Sequence, residues 1–152
     1  MTVLSTIGYE GATVDTFLEA LRADGIELVV DVRALASSRR PGFAKTKLAA
    51  NLASVGIDYL HLRGLGTPAD GRAAARAGHH DELRRIFLEH LGSDAAVADL
   101  ATLESIVGGG RRVCLLCLEA RPEHCHRSMV AAALAKRIPL EIRNLAPITE
   151  PD

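Results

Sequence analysis

Short apolar runs alternate along this chain with longer stretches in which apolar positions recur every three or four residues. The first run is Val3-Leu4-Ser5-Thr6-Ile7, and Leu28-Val29-Val30-Asp31-Val32 is the second. Tyr59-Leu60-His61-Leu62 and the segment 112–117 follow. Runs that are apolar at nearly every position mark strands buried on both faces of a parallel sheet. Leu140-Glu141-Ile142-Arg143 alternates instead, which predicts a final and less buried strand. Between these runs, Val14, Phe17, Leu18 and Leu21 repeat at helical spacing, with Thr13 as N-cap and Gly25 as the stop. Residues 45–55 predict a helix ending at Gly56. Leu83, Ile86, Phe87 and Leu91 predict another, and Val97, Leu100, Leu103 and Val107 a further one that Gly108-Gly109-Gly110 terminates. Met129 to Leu134 is the last helical run. This order of strands separated by helices implies a parallel sheet with right-handed crossovers. The expectation is a single α/β domain over residues 1–152, a three-layer sandwich with a mostly parallel, Rossmann-like sheet.

Composition narrows the picture only a little. The 152 residues suit one domain with a sizeable core. Aromatic residues are only 3%, so aliphatic packing must dominate. A net charge of −1 gives no global bias toward nucleic acid or membrane surfaces. No stretch approaches the roughly 18 apolar residues of a membrane span, and the N-terminus does not read as a signal peptide. Three cysteines do not read as a secreted disulfide framework. The expected location is the cytoplasm.

Polar groups mark the ends of four strands. Gly8-Tyr9-Glu10-Gly11 follows the first, and Asp31 and Arg33 close the second. His61 and Arg63 flank the end of the third, before Gly64-Leu65-Gly66-Thr67-Pro68. The fourth delivers Cys117 and Glu119, and Cys125-His126-Arg127 then opens the last helix. Open α/β sheets build ligand sites at the carboxyl ends of their strands, so one shared cleft is expected there. The motifs Ile7-Gly8-Tyr9, Asp31-Val32-Arg33, Ser38-Arg39, Gly42-Phe43, Gly56-Ile57-Asp58-Tyr59, Leu65-Gly66-Thr67-Pro68 and Cys117-x-Glu119 with Cys125-His126-Arg127 resemble the family catalogued as domain of unknown function 488. The similarity runs over positions 5 to 145. It implies a site shared across that family and leaves the substrate open.

Three chemistries fit the cysteine-bearing loop. A thiol at a helix N-terminus beside His126 and arginines has a depressed pKa and can act as a nucleophile. The separations of Cys117 from Arg121 and from Arg127 do not match the compact loop of phosphatases. A divalent metal could instead be held by Cys117, Cys125 and His126 or His124, although seven residues between the cysteines is not a standard zinc spacing. Cys117 and Cys125 could also form a redox pair. Asp31, Cys117, Glu119, Cys125 and His126 are the catalytic candidates, with Tyr9, Arg33, Arg39 and Arg127 as substrate-binding ones.

No carboxylate occurs between Asp31 and Asp58, where Arg33, Arg39, Arg40, Lys45 and Lys47 all fall. This segment reads either as a solvated face or as an anion-binding rim. A cation such as Arg127 in a helix's first turn opposes the macrodipole, and a bound anion, Asp31 or Glu119 would remove that conflict. Other residues have plain structural readings: Cys114 is core, His79 and His80 face solvent, and His61 is divided between core and site. The function expected is an enzyme acting on a phosphate- or carboxylate-bearing substrate, which includes nucleotides and nucleic acid. The alternative is a non-catalytic nucleic-acid- or metal-binding module.

Overall fold

The four apolar runs and the alternating fifth segment form one sheet with every strand parallel. In the computed structural model, which describes residues 2–147, the strands are β1 (Thr2–Gly8), β2 (Leu28–Asp31), β3 (Asp58–His61), β4 (Val113–Cys117) and β5 (Leu140–Leu145). Their spatial order is β3-β2-β4-β1-β5. The helices are α1 (Val14–Ala23), α2 (Lys45–Ala53), α3 (Ala69–Arg76), α4 (His80–His90), α5 (Asp94–Gly108) and α6 (His126–Ala135). Thr13 caps α1 through its side chain, in a capping box with Thr16. Gly25 follows that helix with φ of +70°, a conformation that glycine adopts without strain.

Topology fixes which face each helix covers. The connections from β1 to β2 and from β2 to β3 both step toward the β3 edge, whereas those from β3 to β4 and from β4 to β5 step the other way. Right-handed crossovers that run in opposite directions lie on opposite faces of the sheet. The core divides accordingly. Phe17, Leu21, Leu48 and Leu52 of α1 and α2 join Val29, Cys114 and Leu116 in one cluster. Phe87, Leu103, Val130 and Leu134 of α4, α5 and α6 join Val30, Val113 and Leu115 in the other. The result is a three-layer, Rossmann-like sandwich. β2 and β4 are neighbours whose connections leave in opposite directions, and this switch point is where α/β sheets open a crevice.

Three details differ from the pattern-based expectation. α3 was not foreseen, because Gly71 and Ala74 are its buried residues and neither gives an apolar signal. A Cβ on Gly71 would stand 2.5 Å from Thr67 Cγ2 and 3.2 Å from Ile86, so α3 lies close against its neighbours. Val97 is 45% exposed, and the buried stripe of α5 runs instead through Ala96, Leu100, Leu103 and Val107. β5 is mostly exposed, as its alternation predicts, but it runs on past Arg143 to Leu145. Among the described residues, no helix is long and apolar enough to cross a membrane.

Candidate functional site

At the end of β2, Asp31 and Arg33 form a buried pair on the α1/α2 side. The Arg33 Nε donates to Asp31 Oδ1 at 2.9 Å and Nη2 to Oδ2 at 2.7 Å, a bidentate fork. The backbone N–H of Arg33 adds a third bond to Oδ1, and the Tyr59 hydroxyl donates to Oδ2 at 2.6 Å. Both oxygens of Asp31 are thereby occupied, and its side chain is fully buried. Burial, reinforced by the adjoining Asp31 carboxylate, pushes the Tyr59 hydroxyl well above its ordinary pKa. The remaining Arg33 nitrogen, Nη1, donates to the Phe43 carbonyl and to the Tyr9 hydroxyl. Tyr9 in turn stacks on Phe43, with ring centroids 4.5 Å apart.

The end of β4 carries different chemistry on the α6 side. Cys117 is the last residue of the strand, and Cys125 is the N-cap of α6, accepting the Arg127 backbone N–H on its sulfur at 3.5 Å. The imidazole of His126 links both thiols to the backbone just after β2. Its Nε2 is 2.6 Å from the Val32 carbonyl. A carbonyl only accepts, so Nε2 carries a proton, and Nδ1 faces the thiols, with a lone pair in the neutral ring and a second N–H in the charged one. Nδ1 is 3.5 Å from Cys117 Sγ and 3.9 Å from Cys125 Sγ. Glu119 Oε2 lies 3.3 Å from Cys117 Sγ.

These neighbours separate the two thiols electrostatically. Burial raises Cys117, and the adjacent Cys125 and Glu119 raise it further. Burial also opposes ionisation of Cys125, but hydrogen bonding from Cys117 and the charges of His126 and Arg127 outweigh it, so this thiol is held well below the ordinary range. The helix N-terminus favours the same assignment, since its free N–H groups stabilise a thiolate. Burial would lower His126, yet Cys125 and the Val32 carbonyl hold it above its usual value. Burial and the nearby Cys125 raise Glu119.

Between the two strand ends lies a cavity of about 310 Å³. Tyr9, Arg33, Cys117, Glu119 and His126 line it, together with Leu35, Leu83, Leu118 and, from elements outside the strand ends, Thr67, Arg72, Arg76 and His124. Arg72 is half-buried and hydrogen-bonds the Thr67 carbonyl at 2.9 Å. Among the described residues, neither Arg72 nor Arg76 has a carboxylate partner.

The expected single cleft is therefore only part of the arrangement. Asp31 sits at the correct edge but behind Arg33, which consumes its oxygens. Arg127 is fully buried, its guanidinium bonded to Thr6 Oγ1 and to the carbonyls of Glu119 and Ala120. Those acceptors resolve the conflict with the helix dipole, and Arg127 fixes the loop that carries Glu119 instead of facing the cavity. Gly8 permits that loop to approach, because a Cβ there would stand 1.7 Å from the Glu119 carbonyl oxygen. Cys125 contributes to the wall of a neighbouring groove between α4 and α6. Arg39 borders a separate depression with Arg40, Lys45 and Lys47. His61 bonds the Arg33 carbonyl at 2.7 Å, and His90 bonds that of Gly64 at 2.8 Å.

A family model described as Domain of unknown function DUF488 matches residues 13–134. The chain belongs to this family. No curated protein and no solved structure matches it. The matched span of this DUF488 domain includes Arg33, Cys117, Glu119 and His126, which face the cavity, and also Arg72 and Arg76, which the sequence pattern did not single out. These two arginines lie four positions apart on α3. Same-face spacing on a helix was the available signal, but recognising it required recognising the helix. His124 was weighed only as an alternative metal ligand, and its ring stacks on His80 with centroids 4.0 Å apart at the cavity's rim.

Proposed function

We propose that this protein is an enzyme acting on a small anionic substrate, carrying a phosphate or a carboxylate, bound between the ends of β2 and β4. The observation that carries this reading is the meeting of Arg72 and Arg76, both without carboxylate partners among the described residues, with Cys117, His126 and Glu119 in one cavity. Arginine suits planar, bidentate recognition of such anions. Leu35, Leu83 and Leu118 add apolar surface beside the arginines. About 310 Å³ takes a metabolite-sized molecule. In this arrangement Arg72 and Arg76 hold the anion, Tyr9 and Arg33 shape the β2 side, and the cysteine–histidine–glutamate cluster is the reacting centre. A turnover screen over small phosphate esters, acyl phosphates and carboxylate esters tests the reading. Turnover that Cys117→Ser abolishes, Cys114→Ser preserves and Arg72→Gln/Arg76→Gln slows by raising KM is expected. Turnover indifferent to both Cys117 and the arginines would overturn it.

A second reading is favoured by one observation outside the cavity. Arg39, Arg40, Lys45 and Lys47 surround a depression of about 570 Å³ in a segment without carboxylates. Such a face fits contact with nucleic-acid phosphates. Binding of single-stranded RNA or DNA that weakens steeply with salt, with a slope reduced by Lys45→Gln/Lys47→Gln, would support it. Salt-independent binding, or none, would refute it.

A further inference from the structure

We infer that Cys117 Sγ, Cys125 Sγ and His126 Nδ1 bind a zinc ion, with an exchangeable fourth position on the cavity side, beside the Glu119 carboxylate. The inference deepens the proposed function by assigning the cysteines as ligands, and rests on it only for the role of the exchangeable position. The metal itself is argued from the donor set.

The three atoms lie within 4.8 Å of one another, and all three residues are buried. Zinc–sulfur bonds of about 2.3 Å and zinc–nitrogen bonds of about 2.0–2.1 Å, at tetrahedral angles, put sulfur and nitrogen about 3.6 Å apart. The observed separations from His126 Nδ1 are 3.5 Å to Cys117 and 3.9 Å to Cys125. Glu119 Oε2 lies 3.3 Å from Cys117 Sγ, beside the three-atom cluster but not part of it. Both thiol–imidazole separations are close to those of a tetrahedral site.

The surroundings match as well. Zinc-bound histidines donate their other ring N–H to a carbonyl or carboxylate, which fixes the tautomer. Here His126 Nε2–H meets the Val32 carbonyl at 2.6 Å. The Arg127 backbone N–H points at Cys125 Sγ from outside the cluster. Lone pairs thus converge inward while hydrogen-bond donors approach from the periphery. What joins such lone pairs is either shared protons or a cation. Two cysteines and a histidine suit the borderline-soft zinc ion better than magnesium or calcium, which take oxygen ligands. Three firm protein ligands with an exchangeable fourth position are the pattern of catalytic zinc sites, not structural ones. Cys117 and His126 both line the cavity, so that position faces it.

The test uses the full chain without an affinity tag, reduced, depleted by a chelator and then titrated with Co²⁺ or Zn²⁺. A single Co²⁺ per chain is expected, with thiolate-to-cobalt charge-transfer absorption and the intense visible bands of tetrahedral cobalt, both erased by added Zn²⁺. Cys114→Ser should leave the spectrum intact. Cys125→Ser should diminish the charge-transfer band and weaken binding by more than about 100-fold, beyond what loss of an outer-shell partner causes. Absence of cobalt uptake by the folded, reduced protein, or weak octahedral bands without charge transfer, would overturn the inference. The unaltered chain decides this even if a variant fails to fold. Anion binding is measured separately on metal-free protein, so failure of one reading leaves the other standing.

Discussion

Replacing Asp31 by asparagine tests whether this residue is structural or takes part in the chemistry. The substitution keeps the shape and removes the charge. Asp31 accepts four hydrogen bonds, from Arg33 N, Nε and Nη2 and from the Tyr59 hydroxyl. An asparagine amide turns at least one of these into a donor-against-donor contact, and Arg33 is left 6% exposed without its counter-charge. Removing one partner from a buried ion pair costs about 3–5 kcal/mol, a large share of the roughly 5–15 kcal/mol that holds a domain of this kind. With a urea m-value of about 2 kcal/mol/M, the unfolding midpoint should fall by about 2 M. Asp31→Asn combined with Arg33→Met should cost less than the two changes summed, by about 1–3 kcal/mol, because each single change strands a charge that the double one does not. Urea unfolding followed by circular dichroism measures all four corners of the cycle. Below the transition, the folded Asp31→Asn protein should retain cysteine reactivity within a few-fold. A cost under about 1 kcal/mol, additive single effects, or complete loss of site reactivity in the folded variant would refute the structural assignment.

Other predictions follow from the same geometry. In metal-free protein, iodoacetamide should label Cys125 faster than Cys114, whose thiol burial pushes far up. Because the folded Cys125 pKa is depressed, the reactive thiolate persists below the free-thiol value of about 8.5 and labelling declines only as pH falls through the lower value. Equal rates at neutral pH would contradict this. Gly8→Ala should destabilise the fold by about 1–3 kcal/mol or more and shift the loop bearing Glu119, since the new methyl meets backbone, not a flexible side-chain end. Thermal unfolding checks the cost, and a wild-type melting temperature would sink the argument. Arg127→Met should leave the Glu119 and Ala120 carbonyls without their donor and cost about 2–4 kcal/mol. An unchanged urea midpoint would show that the loop does not depend on it.

Elements whose burial is carried by large aliphatic side chains were legible in the sequence. All five strands fall within one or two residues of their expected ends, the inner ones because a sheet covered on both faces demands continuous apolarity and β5 from its alternation. α3 was opaque because glycine and alanine form its contact face, and with it Arg72 and Arg76 stayed hidden. For the site, strand order mattered more than strand identity. Asp31 and Cys117 end adjacent strands, but side chains alternate across a sheet. Asp31 shares the α1/α2 side with Val29, whereas Cys117 shares the α6 side with Val113 and Leu115. Parity along each strand could have separated them, but only once the strands' adjacency was known. Arg127 was misleading for a related reason. Its long side chain turns back to backbone carbonyls, and no sequence pattern shows the direction of a side chain.

Anion capture next to the reactive cysteines is the central claim, and paired alkylation rates test it most directly. Metal-free, reduced protein is treated in parallel with iodoacetate, which is anionic, and with iodoacetamide, which is neutral, using glutathione as the free-thiol reference. Labelling at Cys117 and Cys125 is read by fragment-ion mass spectrometry. The account predicts that iodoacetate is favoured at this pair several-fold over its relative rate at glutathione. Inorganic phosphate should suppress that preference, and Arg72→Gln/Arg76→Gln should abolish it. An iodoacetate-to-iodoacetamide ratio no higher than that of glutathione, unchanged by phosphate and by the arginine substitutions, would contradict the account.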